Sequence, residues 1–262
     1  MEGWFEGHLL HHKIQFILMK DFEFKEEDPK GLRTLEVISK ADKFNHWMFN
    51  TIQPFCSGKI LEIGSGIGNI SQFFIESGMN ITLSDIRENY CETLKHKYNN
   101  VENLNDVLLI NLADPEFKNK YERYQNAFDT VFALNVIEHI KDDHYAMKNC
   151  RFLLKKNGNL IILVPAYQKL YNTLDVELGH YRRYTKNNLN NLFLINGFEI
   201  THSQYFNLTG ILGWYLSGKI LRKKTISSGF MVLYNGLVPL FKIIDKLTLG
   251  SIGLSVIVVG RK

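Results

Sequence analysis

The chain is poor in cysteine, in long uncharged runs and in any surplus of charge, and each shortage closes off a class of protein. Its three cysteines, Cys56, Cys91 and Cys150, are odd in number, widely spaced and form no CxxC pair. They indicate neither a disulfide framework nor a structural zinc centre, and a reducing cytoplasm is the simplest compartment. No uncharged run reaches the roughly 20 residues that a membrane-spanning helix needs. One of the longer ones, 225–241, has 17 residues and contains Gly229, Gly236 and Pro239. A secretory signal is not expected either. The apolar stretch 14–19 is short, comes after Glu2 and Glu6, and leads into no small-residue cleavage pattern. Lys and Arg outnumber Asp and Glu by only 31 to 27, too little to mark a nucleic-acid face by itself.

With 45% hydrophobic and 22% charged residues, the chain is too apolar to be disordered, and 262 residues suit one large α/β domain. Residues 1–33 read as a leader and 34–262 as the domain. Within the leader, 1–18 fit poorly with the rest of the chain, and Met19 is a candidate natural start. His8 and His12 stand four apart, a spacing that suits a metal pair but has no third ligand beside it.

Leu35, Ile38, Phe44, Trp47 and Met48 recur at helical spacing, which predicts a helix over 34–52 capped by Thr34. Beyond it, short apolar runs at 60–63, 81–84, 107–112, 129–134 and 160–164 alternate with helical stretches. One of these stretches is 145–154, which ends at Asn157-Gly158. That rhythm predicts βαβ units and a parallel sheet covered on both faces. Thr185 caps a further helix through 194, stopped by Asn196-Gly197, and 198–205 and 254–259 read as two last strands. The expected fold class is α/β: a doubly wound, seven-stranded, mostly parallel sheet with helical N-terminal and late-insertion caps.

The informative segment is Lys59-Ile60-Leu61-Glu62-Ile63-Gly64-Ser65-Gly66-Ile67-Gly68-Asn69. It comes after a predicted strand and opens a helix, where glycines let the backbone bend sharply and approach a ligand at free N–H groups. A dinucleotide fingerprint would need its third glycine at 69, which is Asn. Seventeen residues after Gly68 stands Asp85, placed to accept hydrogen bonds from ribose hydroxyls or to cap the next helix. Asn111-Leu112 comes after the third strand, and Phe128-Asp129-Thr130-Val131 leads through Asn135 to Glu138-His139.

This E-x-G-x-G-x-G turn, with its acidic partner and its F-D-x-V…E-H segment, resembles the class I S-adenosylmethionine-dependent methyltransferases, and among them the quinone-precursor enzymes. The resemblance runs over about 34–194 and more loosely over 254–261. It implies that Glu62, Gly64, Ser65, Gly66, Gly68, Asp85, Ile86, Asn111, Leu112 and Asn135 bind S-adenosylmethionine. Asp85 would take the ribose, Ile86, Asn111 and Leu112 the adenine, and Glu62 and Asn135 the amino end. The Asn-Pro-Pro-Tyr clamp of nucleic-acid amino methyltransferases is missing, so no nucleic-acid substrate is expected. Some quinone-precursor enzymes bind a metal through two glutamates and the E-H histidine. Here the earlier glutamate position is Asn135, so no metal is expected.

The expected reaction is O-methyl transfer to a small-molecule or lipidic acceptor. N- or C-transfer to another metabolite and a non-catalytic cofactor-binding protein remain alternatives. His139 and His180 are the candidate bases, although His139 also suits a turn cap. In the segment Gly179-His180-Tyr181-Arg182-Arg183-Tyr184-Thr185, residues Tyr181, Arg182, Arg183 and Tyr184 are candidates for gripping the acceptor. The two arginines also have Asp175 and Glu177 as possible ion-pair partners. Residues 206–250 carry six basic residues against Asp245 alone, among apolar and aromatic neighbours. Such a segment suits a lid, a solvated helical cap or a peripheral membrane contact, and the expected location is cytoplasmic, with membrane association open.

Overall fold

The computed structural model describes residues 28–262. The leader 1–18, the candidate start at Met19 and the His8/His12 pair lie outside them. The first element is α1 (Pro29–Ser39), and the second is α2 (Asp42–Ile52). The single helix expected over 34–52 is thus two. Asp28 caps α1 by accepting from the Gly31 amide at 2.9 Å, with Pro29 at the first helical position, where its missing N–H costs nothing. Thr34 sits inside α1, its hydroxyl donating back to the Lys30 carbonyl at 3.0 Å. The apolar positions that looked continuous belong to two helices broken at Lys40-Ala41.

Strands and helices then alternate: β1 (Ile60–Ile63), α3 (Ser71–Glu76), β2 (Ile81–Asp85), α4 (Glu88–Lys97), β3 (Leu104–Leu109), α5 (Phe117–Lys120), β4 (Phe128–Leu134), α6 (Asp143–Leu153) and β5 (Leu154–Pro165). Then come α7 (Thr173–Leu178), α8 (Lys186–Ile195), β6 (Glu199–Phe206), α9 (Gly210–Trp214), α10 (Ser228–Leu247) and β7 (Ser255–Arg261). Thr185 caps α8 as expected, accepting from the Asn188 amide. β3 begins earlier than its apolar run and ends at Leu109, which frees Ile110, Asn111 and Leu112 to form a loop.

The sheet order is β3-β2-β1-β4-β5-β7-β6, with all pairs parallel except those of β7, which runs antiparallel to β5 and β6. Successive residues of a strand face opposite sides, so the sheet divides its apolar residues between two cores. Leu61, Ile63, Val131, Ile162 and Val258 pack with Met147, Cys150 and Phe193 on one side. Ile60, Leu83, Phe132, Leu163 and Ile257 pack with Trp47, Phe74, Leu94 and Tyr234 on the other. Every residue of β1 is buried, as expected of a parallel strand covered twice. Chain order reverses between β1 and β4, and in open sheets of this kind ligands bind outside the carboxyl ends at that switch point.

Candidate active site

A cavity of about 660 Å³ opens at those carboxyl ends. The turn after β1 forms its floor. Gly64, Gly66 and Gly68 all have positive φ, at 75°, 54° and 83°, a conformation that side chains with a Cβ rarely adopt. At Gly64 a Cβ would also stand 2.5 Å from Val136 Cγ2. The turn is tied to β2 through Ser65, whose amide donates to the Ser84 carbonyl at 2.8 Å and whose hydroxyl accepts from the Ser84 amide at 3.1 Å. Asp85 then holds the turn and its own loop together. One carboxylate oxygen accepts from the Gly66 amide at 2.9 Å and the other from the Arg87 amide at 3.0 Å.

Asp85 is 5% exposed, and burial pushes its carboxyl above the usual range against the pull of those amides. Glu62, on β1, accepts from the Ser71 hydroxyl. Burial raises its carboxyl to about 7, opposed by hydrogen bonds from Ser71 and Ser65. Ile86, Asn111, Leu112 and Asn135 complete the same wall. Asn111 is fixed by its side-chain oxygen, which accepts from the Ala113 amide at 2.9 Å. Asn135 has φ 55° and donates its amide to the Leu163 carbonyl at 2.8 Å. Of the expected cofactor residues, Gly68 alone is absent from the lining. It faces α4, where a Cβ would meet Tyr98 Oη at 2.9 Å, so its role is close packing.

Opposite this floor the cavity is bounded by residues from α7 and the loop after it. α7 opens with a reciprocal capping box: the Asn172 side chain accepts from the helix amides, and Asp175 accepts from the Asn172 amide at 2.9 Å. The other oxygen of Asp175 meets His180 Nδ1 at 2.8 Å and Arg183 Nε at 2.8 Å. Burial raises the Asp175 carboxyl, but the hydrogen bond to His180 and the charge of Arg183 outweigh it, and the carboxyl titrates below its ordinary range. His180 Nε2 lies 4.0 Å from the Glu138 carboxylate, and the His180 and His139 rings meet edge to face at 4.7 Å.

Glu138 is fully buried, neither of its oxygens finds a hydrogen-bond partner, and burial raises its carboxyl to about 8. Burial lowers the His139 imidazole to about 3, helped by nearby His180 and Arg87. Ligand atoms of Glu138, His139 and His180 all fall within 4.8 Å of one another. Tetrahedral Zn–N bonds of about 2.1 Å need ligand atoms about 3.4 Å apart. His180 Nε2 and the nearest Glu138 oxygen, at 4.0 Å, stand slightly wider than that, and the three residues form a group that could hold an ion after small shifts of its side chains.

His139, His180, Tyr181 and Arg183 line the cavity, whereas Arg182 and Tyr184 do not. Arg182 pairs with Asp143 at 2.9 Å and donates to the Ile140 carbonyl, and the Tyr184 hydroxyl donates to Asp143 at 2.8 Å. Of the two ion-pair partners expected for the arginines, Asp175 takes Arg183, while Glu177 instead pairs with Lys30 and Lys224. Further lining residues come from the N-terminal and late-insertion segments expected to cap the pocket. Trp214, Phe230, Met231 and Tyr234 from α9 and α10, and Leu35 and Ile38 from α1, build an apolar roof. Of the readings open for 206–250, the lid is the one this lining matches.

A doubly wound sheet with a glycine turn and a buried carboxylate after the second strand, under an apolar roof, defines a nucleotide-cofactor-binding α/β fold. Residues 9–203 match the family model described as "Methyltransferase domain". The chain belongs to that family and is an S-adenosylmethionine-dependent methyltransferase. Among solved structures it is similar to an S-adenosylmethionine-dependent methyltransferase from Archaeoglobus fulgidus, with TM-score 0.53 and 16% identity over 83% of this chain and 94% of that one. It is also similar to phosphoethanolamine N-methyltransferase 2 of Haemonchus contortus in complex with S-adenosyl-L-methionine, with TM-score 0.54 and 18% identity over 86% of this chain and 56% of that one. A curated relative, probable polyketide synthase 42 of Dictyostelium discoideum, is 29% identical over 151 residues, half of this chain. The match spans only 6% of that relative's length.

Proposed function

We propose that this methyltransferase acts on a hydroxyl of an apolar acceptor, with His180 taking the hydroxyl proton. The observation that carries the reading is the Asp175–His180 pair, 2.8 Å apart at the edge of a cavity whose roof is apolar. In the tautomer that donates Nδ1–H to Asp175, Nε2 keeps its lone pair, and the carboxylate stabilises the imidazolium that forms when Nε2 accepts a proton. His139 is unsuited to that task, because an imidazole lowered to about 3 is too weak a base to hold a hydroxyl proton. Its role is to wall the site beside His180. Arg183, stacked 4.7 Å over Trp214 and bonded to Asp175, holds both the carboxylate and the roof in place.

The donor set on the floor fits S-adenosylmethionine. Each Asp85 oxygen receives one backbone N–H, leaving lone pairs for two ribose hydroxyls. Glu62 and the Asn135 backbone would hold the amino end, and Ile86, Asn111 and Leu112 would hold the base. When bound, the cofactor supplies an electrophilic methyl group on a sulfonium. The chain's own residues orient the acceptor, exclude water and remove its proton. Alignment of this kind contributes on the order of 7–11 kcal/mol. The polyketide synthase relatives are in keeping with an apolar acceptor.

The test is transfer of isotopically labelled methyl to matched panels of apolar alcohols, phenols and amines. Alcohols or phenols are expected to be labelled, and His180→Gln to slow this by about 10²–10⁴-fold. Labelling of amines alone, undiminished in His180→Gln, would overturn the hydroxyl reading in favour of N-transfer.

A further inference from the structure

Most of the exposed large apolar side chains among the described residues fall between Leu212 and Ile252. α10 is apolar on two faces. Met231, Tyr234 and Val238 face inward and are buried, while Leu233, Leu237, Leu240 and Leu247 are 63%, 42%, 53% and 78% exposed. No charged residue occurs from 225 to 241. A helix apolar all round is normally buried, and large exposed apolar patches mark interaction sites. The charges that do occur lie at the margins. Lys219, Arg222, Lys223 and Lys224 are exposed before the helix, and Lys242, half-buried, and Lys246, exposed, sit in its last two turns, with Asp245 turned inward to the Asn207 and Leu208 amides. Among the described residues, no helix is long and apolar enough to cross a membrane.

We propose that the outward face of α10 and the basic segment before it dock this chain on an anionic lipid bilayer. An apolar helix face rimmed by lysines matches the acyl boundary and the phosphate layer together. The same helix turns Phe230, Met231 and Tyr234 into the cavity roof, and α9 adds Trp214. An acceptor dissolved in the bilayer therefore meets the roof side of the cavity that holds His180. This last step rests on the apolar-acceptor reading given above, whereas the docking itself does not.

The test is flotation of the full chain with vesicles of phosphatidylcholine, alone or mixed with phosphatidylglycerol. Binding is expected to favour the anionic vesicles and to weaken with salt. Leu233→Gln/Leu240→Gln should cut the bound fraction about tenfold or more on both compositions. Lys219→Glu/Lys223→Glu should remove only the preference for anionic lipid, by about tenfold or more. Both variants should bind S-adenosylmethionine with unchanged affinity in calorimetry, which separates lost docking from lost folding. Absence of flotation at low salt overturns the proposal. So does a wild-type dimer that Leu233→Gln/Leu240→Gln converts to a monomer, since the face would then belong to a second copy. Vesicle binding together with exclusive methylation of water-soluble acceptors would sink the acceptor route and leave the docking intact.

Discussion

The two halves of the cavity are built by different means. The floor, from β1 to β4, is mostly backbone: positive-φ glycines, amides aimed at Asp85, and loops that leave their strands on schedule. The roof and far wall, from α7 to α10 together with α1, are side chains brought from distant segments, such as Arg183 stacked on Trp214 and the aromatic residues of α10. Backbone geometry can serve one fixed ligand across a whole family. Side-chain walls can be exchanged to suit an acceptor without disturbing that floor.

The largest expected effect tests whether the halves are separable. Asp175→Asn keeps the shape of the side chain but removes the charge behind His180 and Arg183. Turnover should fall by about 10²-fold or more, while calorimetry should show unchanged affinity for S-adenosylmethionine. A parallel loss of cofactor affinity would mean that the two halves are one unit and would break the comparison.

Gly64→Ala strikes the opposite half. The added Cβ meets Val136 Cγ2 at 2.5 Å on a backbone with φ 75°. Strain of this kind costs about 1–3 kcal/mol, read as a lower melting temperature and weaker cofactor binding. Adding Val136→Ala removes the clash but not the backbone strain, so thermal melts should show partial rescue. Complete rescue would show that crowding alone, and not the left-handed backbone, demands glycine there.

The third effect depends on pH. Glu138 is expected near 4.5 in the unfolded chain and is raised to about 8 by burial when folded. Its contribution to stability is therefore fully present below about pH 4.5 and is lost as pH rises through about 8. Glu138→Gln should flatten that decline and gain on wild type steadily between pH 5 and pH 8.5 in denaturant titrations. Identical slopes for both proteins would show that Glu138 stays ionised in the fold.

These contrasts also explain what could be read from the residues alone. β1, the glycine turn, Asp85 and the Thr185 cap are specified within a few neighbouring residues, and all stand where local pattern put them. The break between α1 and α2 was hidden, because Leu35 and Ile38 on one helix and Phe44, Trp47 and Met48 on the next happen to stay near one helical phase. Asn111 and Leu112 continue an apolar run and looked like strand, yet the β2–β3 ladder ends at Leu109. The distinction between Arg182 and Arg183 was out of reach. They are neighbours in the chain, but one turns to Asp143 on α6 and the other to Asp175 on α7. The exposed face of α10 was legible only as composition, since a run of apolar residues does not say which side of a helix is covered.

The smallest expected effect lies where the two halves meet. α1 reaches both: Asp28 pairs with Arg87 at 3.1 Å on the cofactor side, and Lys30 pairs with Glu177 on the acceptor side. The first pair is partly buried and sits beside the Asp85 loop, whereas Lys30 is 63% exposed. Asn caps a helix as well as Asp does, so Asp28→Asn should keep α1 folded and lose only the charge pairing. Exposed and half-exposed pairs are worth about 0.2–1 kcal/mol, which predicts cofactor affinity weakened by about two- to fivefold in calorimetry. Lys30→Ala should leave that affinity unchanged. Equal losses from both substitutions would mean that α1 acts as one lid over the whole cavity rather than as two separate contacts. The division between floor and roof would then have to be redrawn with α1 on its own.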